Sequence, residues 1–439
     1  MKVSRRGFVA SAAMGIGGMA VSCNSEPTSE TETPLAKDQP SKKKKNKYDD
    51  RDLPKFQLRK LTEVPNHHFF GYYGVSPWNR DESLMVGLES TFQDRLPNPG
   101  DTAAIGLIDP ETGQFDEIDK TLAWNLQQGA MLHWNPLAPN DEIIYNDRVD
   151  DAMASVKLNV TTGQKTVLPR PISGVAKIGR FALSLTYGRL SRLRKVVGYA
   201  DAVDPFADQA HPKEDGVFSI NLETNEVKLV TSIDQVYQHA VGSYPSLEGR
   251  DIWFNHTDIN PSGSRFLFLA RSRNEKGKLD SAMFTINMDG SDLKMVVPFG
   301  TEVSHFGWRN DTEIVATLKD DIGLYQHYLF TDGQQDFNSI GEGFIIDNGH
   351  CTFSANGRYM TTDRTQDESK STSLWLYDME LDKGLLLANL PVSEYKYLHS
   401  NTRCDFHPRW NPSGNKICFD AIDPATHTRQ MHLIEFTAS

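Results

Sequence analysis

The chain has only four cysteines among 439 residues, which excludes a disulfide scaffold. No apolar run beyond the first 25 residues approaches the ~20 that a spanning helix needs, which excludes a multi-span membrane protein. Positive charge is in the minority, with 46 Lys and Arg against 58 Asp and Glu. The net charge of −12 argues against a nucleic-acid binder that works through a basic face. Gly-x-Ser-x-Gly does not occur, so the nucleophile elbow of a propeller-bearing peptidase is missing. Helical periodicity is nearly absent. Against these absences stand 22 Phe, 14 Tyr and 7 Trp, enough for a sizeable core and too many for a disordered chain.

The N-terminus reads as address and tether. Ser4-Arg5-Arg6-Gly7-Phe8-Val9 has the form of a twin-arginine export signal, followed by a weakly apolar Gly/Ala-rich stretch to Val21. Ala20-Val21-Ser22-Cys23 has the form of a lipobox with Cys23 as the lipidated residue; plain cleavage nearby is the alternative. Residues 24–53 are rich in Ser, Thr, Pro, Glu and Lys and read as a solvated linker. The expected location is therefore periplasmic, or at the cell envelope with the membrane touched only through a lipid. After Cys23 the chain keeps Cys351, Cys404 and Cys418, an odd set that cannot all pair within one chain.

Residues 54–439 repeat. One pattern is a strand, a polar turn and a second strand, as in His256…Asn260-Pro261-Ser262-Gly263 and His407…Asn411-Pro412-Ser413-Gly414. Related copies start at Tyr73, Leu132, His305 and His350, and a degenerate one spans Phe181 to Arg189. The other pattern is an alternating strand ending in a turn, as in Ile105-Gly106-Leu107-Ile108-Asp109 and Val217-Phe218-Ser219-Ile220-Asn221. Seven copies of about 55 residues predict an all-β, seven-bladed β-propeller. One blade cannot bury both its faces, so neighbours must stack into a ring. Phe56 to Thr62 reads as an outer strand without a blade before it, and the last copy lacks its outer strand. The N-terminal strand is expected to complete the last blade.

Four copies carry a histidine at the same place: His256, His305, His350 and His407. Equivalent positions on innermost strands converge on one axis, where imidazoles can hold a transition metal. Asp405 and Cys404, just ahead of His407, offer an oxygen or a sulfur. The plain alternative is that each histidine hydrogen-bonds a neighbouring blade.

These repeats and phased histidines resemble the oligogalacturonide lyase family and its ulvan-lyase relatives. The family's first blade opens with a His, aromatics and a Tyr, and here stands Asn66-His67-His68-Phe69-Phe70-Gly71-Tyr72-Tyr73. The resemblance places the proton-abstracting histidine on His256 and two metal histidines on His305 and His407. The family's metal-binding Gln and third His fall near Thr402 and on Asp405, so the one is replaced and the other has become an aspartate. The family arginine for the substrate carboxylate falls on Gly216. Its role is expected to pass to Arg189 and Arg192, in the locally basic run Tyr187 to Lys195.

The resemblance implies a polysaccharide lyase that cleaves uronic-acid oligosaccharides by β-elimination. A cation must neutralise the uronate carboxylate so that the C5 proton can leave, and a neutral base must take it. The expected catalytic set is His256, Arg189, Arg192 and Tyr187. Expected substrate contacts are His67, His68, Tyr72, Gln128 and His133. A divalent transition metal, manganese or zinc, is expected on His305, His350, Asp405 and His407. The expected partner is an acidic oligosaccharide met by a monomer, with no nucleic acid. The rival from another class is a non-catalytic, TolB-like periplasmic propeller that binds partners. A glycosidase would need paired carboxylates across the channel, for which Asp258 and Asp405 are poor candidates.

Overall fold

A computed structural model describes residues 2–3, 53–320, 323–334 and 336–437. The twin-arginine motif, Cys23 and linker residues 24–52 lie outside them. The strands form seven antiparallel sheets arranged as a β-propeller. The innermost strands are His67–Phe69, His133–Trp134, Gly174–Val175, Trp253–Ile259, Phe306–Trp308, Thr352–Phe353 and Arg409–Trp410. The fifth sheet carries an added two-residue strand, Lys2–Val3, at its outer edge. In the seventh blade the outermost strand is Lys55–Lys60, antiparallel to Arg429–Thr437 with Phe56 opposite Phe436.

Alternation builds the blades. In Arg265–Arg273 and Leu279–Asn287 both faces are buried, because each blade is covered by a neighbour on either side. Phe268 stacks on Phe284 at 5.6 Å, and Phe254 meets Phe268 at 4.7 Å. Each such phenylalanine contributes about 1.5–3 kcal/mol by leaving water. Phased tryptophans clip one blade to the one before: Trp134 Nε1 donates to Pro77 O at 2.8 Å, and Trp308 Nε1 to Asp258 O at 3.0 Å.

The third blade departs from the pattern. Between its strands Phe181–Ser184 and Gly216–Asn221 the chain makes a long excursion. The basic run Tyr187 to Lys195 is mostly a short helix, Tyr187–Leu193, with a tight turn at Lys195–Val197. Arg189 points into the protein, with only 2% of its surface exposed.

Candidate functional site

Three histidines meet where blades five, six and seven begin. The rings of His305 and His350 lie 3.7 Å apart between centroids, and those of His350 and His407 lie 4.2 Å apart. Nε2 of His350 is 3.1 Å from Nε2 of His407. Asp405 Oδ2 sits 3.8 Å from the same His407 nitrogen and accepts from Arg403 Nε at 2.8 Å. His350, Asp405 and His407 each offer a ligand atom, all within 4.8 Å of one another. His305 packs against this group but adds no donor to it; its Nδ1 is 3.1 Å from Asn348 O. Cys404 stays apart, buried with Val392, Tyr397, Leu398 and Ile422. Burial pushes its thiol up to about 12, the state of an inert cysteine rather than a ligand thiolate.

The fourth histidine joins through a tyrosine pair. Tyr72 and Tyr73 are consecutive in blade one, their rings 5.1 Å apart. The Tyr72 hydroxyl is 3.0 Å from His256 Nδ1, and the Gln128 side-chain nitrogen is 3.1 Å from the same atom. Tyr73 goes to the other three, with ring centroids 6.2, 5.0 and 5.9 Å from His305, His350 and His407. Its oxygen accepts from Phe306 N–H at 3.4 Å. Tyr73 is thus the common neighbour of the cluster, a role that the sequence did not single out. His256 and His407 both have positive φ, 58° and 48°, which non-glycine residues rarely adopt and which concentrates at functional sites.

Burial lowers His256, His305 and His407 well below the ordinary histidine value, and nearby positive charge adds to the effect. These imidazoles are neutral at physiological pH, the state required of a base or a ligand.

The positive charge has a definite source. Arg271, on the second strand of blade four, is 4% exposed, and its Nε is buried without a hydrogen-bond partner. No ion pair to it is found among the described residues. Burial and the neighbouring Arg194 push its guanidinium down to about 9, the mark of a cation without a counter-charge. Its field reaches His256, His305, Tyr72 and Tyr73. Arg194 is in the same condition, its Nε buried and unpartnered, held down to about 10 by burial and by Arg403.

The arginines chosen from the sequence are spent elsewhere. Arg189 donates to the carbonyls of Ile252, Phe206, Gln209 and Ala210 and to Asp251. Arg192 is taken up by Asp204 and Asp251 at 2.8 and 3.0 Å. Neither has a free fork, because the excursion of blade three uses both to hold itself together. At Gly216 an added Cβ would lie 2.0 Å from Thr231 O, so no arginine fits there.

The remaining expected contacts divide. Gln128 and Tyr72 touch His256, as above. Tyr187 lines the same narrow cavity beside them, but its hydroxyl donates to Ile172 O at 3.1 Å and its ring stacks on Tyr199 at 4.3 Å. His68 lies between Gln430 and Glu89, at 3.1 and 3.0 Å, and serves the packing of blades one and seven. His67 Nδ1 accepts from Arg429 N–H at 3.2 Å. His133 Nδ1 donates to Met131 O at 2.8 Å, and burial lowers this ring to about 4. The structure does not bring these three into the cluster.

No sequence-family profile matches the chain, and no curated relative matches it. Solved structures do. An oligogalacturonate lyase from Vibrio parahaemolyticus superposes with a TM-score of 0.60 at 12% identity, over 87% of this chain and 93% of that one. An oligogalacturonate lyase in complex with manganese gives 0.62 at 15% identity, over 88% and 94%. The likeness is one of fold. At these identities it establishes a distant propeller relationship and leaves the chemistry to the residues.

Proposed function

We propose that the protein is an exported polysaccharide lyase acting on acidic, uronate-containing oligosaccharides, held in the periplasm or on the envelope by a lipid at Cys23. The observation that carries this reading is the neutral, enclosed His256 in the field of the uncompensated Arg271, beside the group His350, Asp405 and His407. β-Elimination needs one cationic seat and one neutral base and no nucleophile.

Arg271 takes the uronate carboxylate, with Arg194 adding positive potential at the mouth. His256 Nδ1 carries the ring proton and donates it to the Tyr72 oxygen, which requires the Gln128 amide to turn over from the orientation in which its nitrogen lies 3.1 Å from Nδ1. The Nε2 lone pair then faces the substrate. It takes the C5 proton, the C5–H electron pair becomes the C4=C5 double bond, and the C4–O bond breaks. The proton on His256 passes to the departing oxygen, so the atoms balance. The donor set of two imidazoles and a carboxylate suits a divalent transition metal. Two imidazole nitrogens facing each other at 3.1 Å also require a proton or a cation between them. Such an ion, manganese or zinc, would add Lewis-acid charge against the developing enolate.

The test is incubation of purified protein with pectic and ulvan-type oligomers, with and without added Mn²⁺, following absorbance of the new double bond. Product formation that disappears in His256→Gln supports the reading. Silence on every uronate with metal supplied overturns it in favour of a binding propeller.

A further inference from the structure

Asp363 occupies the second strand of blade six, opposite His350, and is only 5% exposed. Its carboxylate accepts from the backbone N–H of His350 at 2.7 Å and from His350 Nδ1 at 3.0 Å. The other oxygen accepts the backbone N–H groups of Phe406 and His407 at 3.0 and 3.2 Å. Four N–H donors thus occupy the two oxygens of this buried carboxylate.

We infer that Asp363 is the positioning residue of a divalent-cation site formed by His350, Asp405 and His407. The inference rests on the metal reading proposed above and adds what builds the site. A carboxylate that faces Nδ1 and otherwise meets only backbone N–H donors draws the ring proton there and leaves Nε2 of His350 as a lone pair directed at His407. The same carboxylate fixes the backbone of Phe406 and His407, which seats His407 in its left-handed conformation and places Asp405 two residues upstream. One buried charge therefore sets all three donors, which belong to two different blades.

Comparison around the ring separates this role from simple blade-to-blade pinning. Asp420 stands at the same point of blade seven and accepts the N–H groups of Phe70 and Gly71 at 3.2 and 3.0 Å. Its remaining capacity goes to Arg409, at 2.9 and 2.7 Å, rather than to an imidazole. Asn146 in blade two pins the next blade with a neutral amide, its oxygen accepting from Ile172 N–H at 2.7 Å and its nitrogen donating to Ile172 O at 2.8 Å. The pin is thus common to several blades and does not require a charge. Among the described residues, only blade six pairs it with a histidine that faces a second histidine and a carboxylate.

The full chain, freed of metal, is titrated with Mn²⁺ by calorimetry, with circular dichroism as the check on folding. One ion per chain is expected, with affinity weakened about 10–100-fold in Asp363→Asn. In the double variant with His350→Gln, Asp363→Asn is expected to add less than its loss in the wild-type background, because the part that acts through that ring is already gone and only the backbone part remains. Wild-type protein that binds no Mn²⁺ overturns the metal reading itself. Wild-type binding with unchanged affinity in folded Asp363→Asn overturns only the role of Asp363. If Asp363→Asn does not fold, ¹⁵N chemical shifts of the wild-type imidazoles decide. The His350 signal, identified by its loss in His350→Gln, is expected to report protonation at Nδ1, and protonation at Nε2 in the metal-free protein overturns the inference.

Discussion

The start of blades five to seven and the excursion of blade three both gather charged side chains, yet they use them in opposite ways. In the excursion, Arg189 and Arg192 close on Asp204, Asp251 and backbone carbonyls, so both guanidinium groups are spent. Around the histidines, Arg271 and Arg194 keep buried nitrogens without partners, and His256, His305 and His407 stay neutral. A satisfied network stabilises a fold. An unsatisfied one stores the capacity to bind, since a buried unpaired cation gains most from an incoming anion. Local richness in arginine was therefore a poor guide to the anion seat, and the absence of a partner is a better one.

Substitutions can break this contrast. The largest effect is expected from His256→Gln, a loss of about 10²–10⁴-fold in kcat/KM with thermal stability little changed, read by double-bond absorbance. Arg271→Gln should cost about 10²–10³-fold through loss of carboxylate neutralisation. Arg271→Gln should bring no loss of stability, because it removes a strained buried charge. Arg189→Gln should do the reverse: a destabilisation of about 3–5 kcal/mol in chemical denaturation, with kcat/KM of the folded fraction retained. A large activity loss in stable Arg189→Gln would return that residue to the site.

A pH profile sharpens the same contrast. The base must be neutral, and burial, together with the Arg271 and Arg194 charges, holds His256 well below 6.5. Activity should therefore rise with pH through an acid limb that is complete below pH 6.5, then stay flat through neutrality. Arg271→Gln removes one of the lowering charges, so its residual acid limb should move to higher pH. The smallest effect belongs to Arg192→Gln, a half-exposed pair member, with a stability change of about 0–1 kcal/mol and no shift of the profile.

The site was legible in part. The four histidines share a repeat phase, and the phase alone predicts that they approach one another once the ring closes. Asp363 and Asp420 each fall six residues after a turn glycine, Gly357 and Gly414, so a second phase was present in the sequence but carried no chemistry until a partner could be named. Tyr73 stands next to Tyr72 just beyond the strand His67–Phe69, and the sequence does not say which of two adjacent side chains turns toward the other histidines. Arg271 lies within an apolar strand and has no local signature.

The order of residues determined the propeller by itself, because alternation, turn glycines and repeat length are local properties that add along the chain. The pairing of charges was decided only by the tertiary structure. Whether a buried arginine is spent or available depends on groups hundreds of residues away, and a cation reveals its function by what the closed ring fails to place beside it.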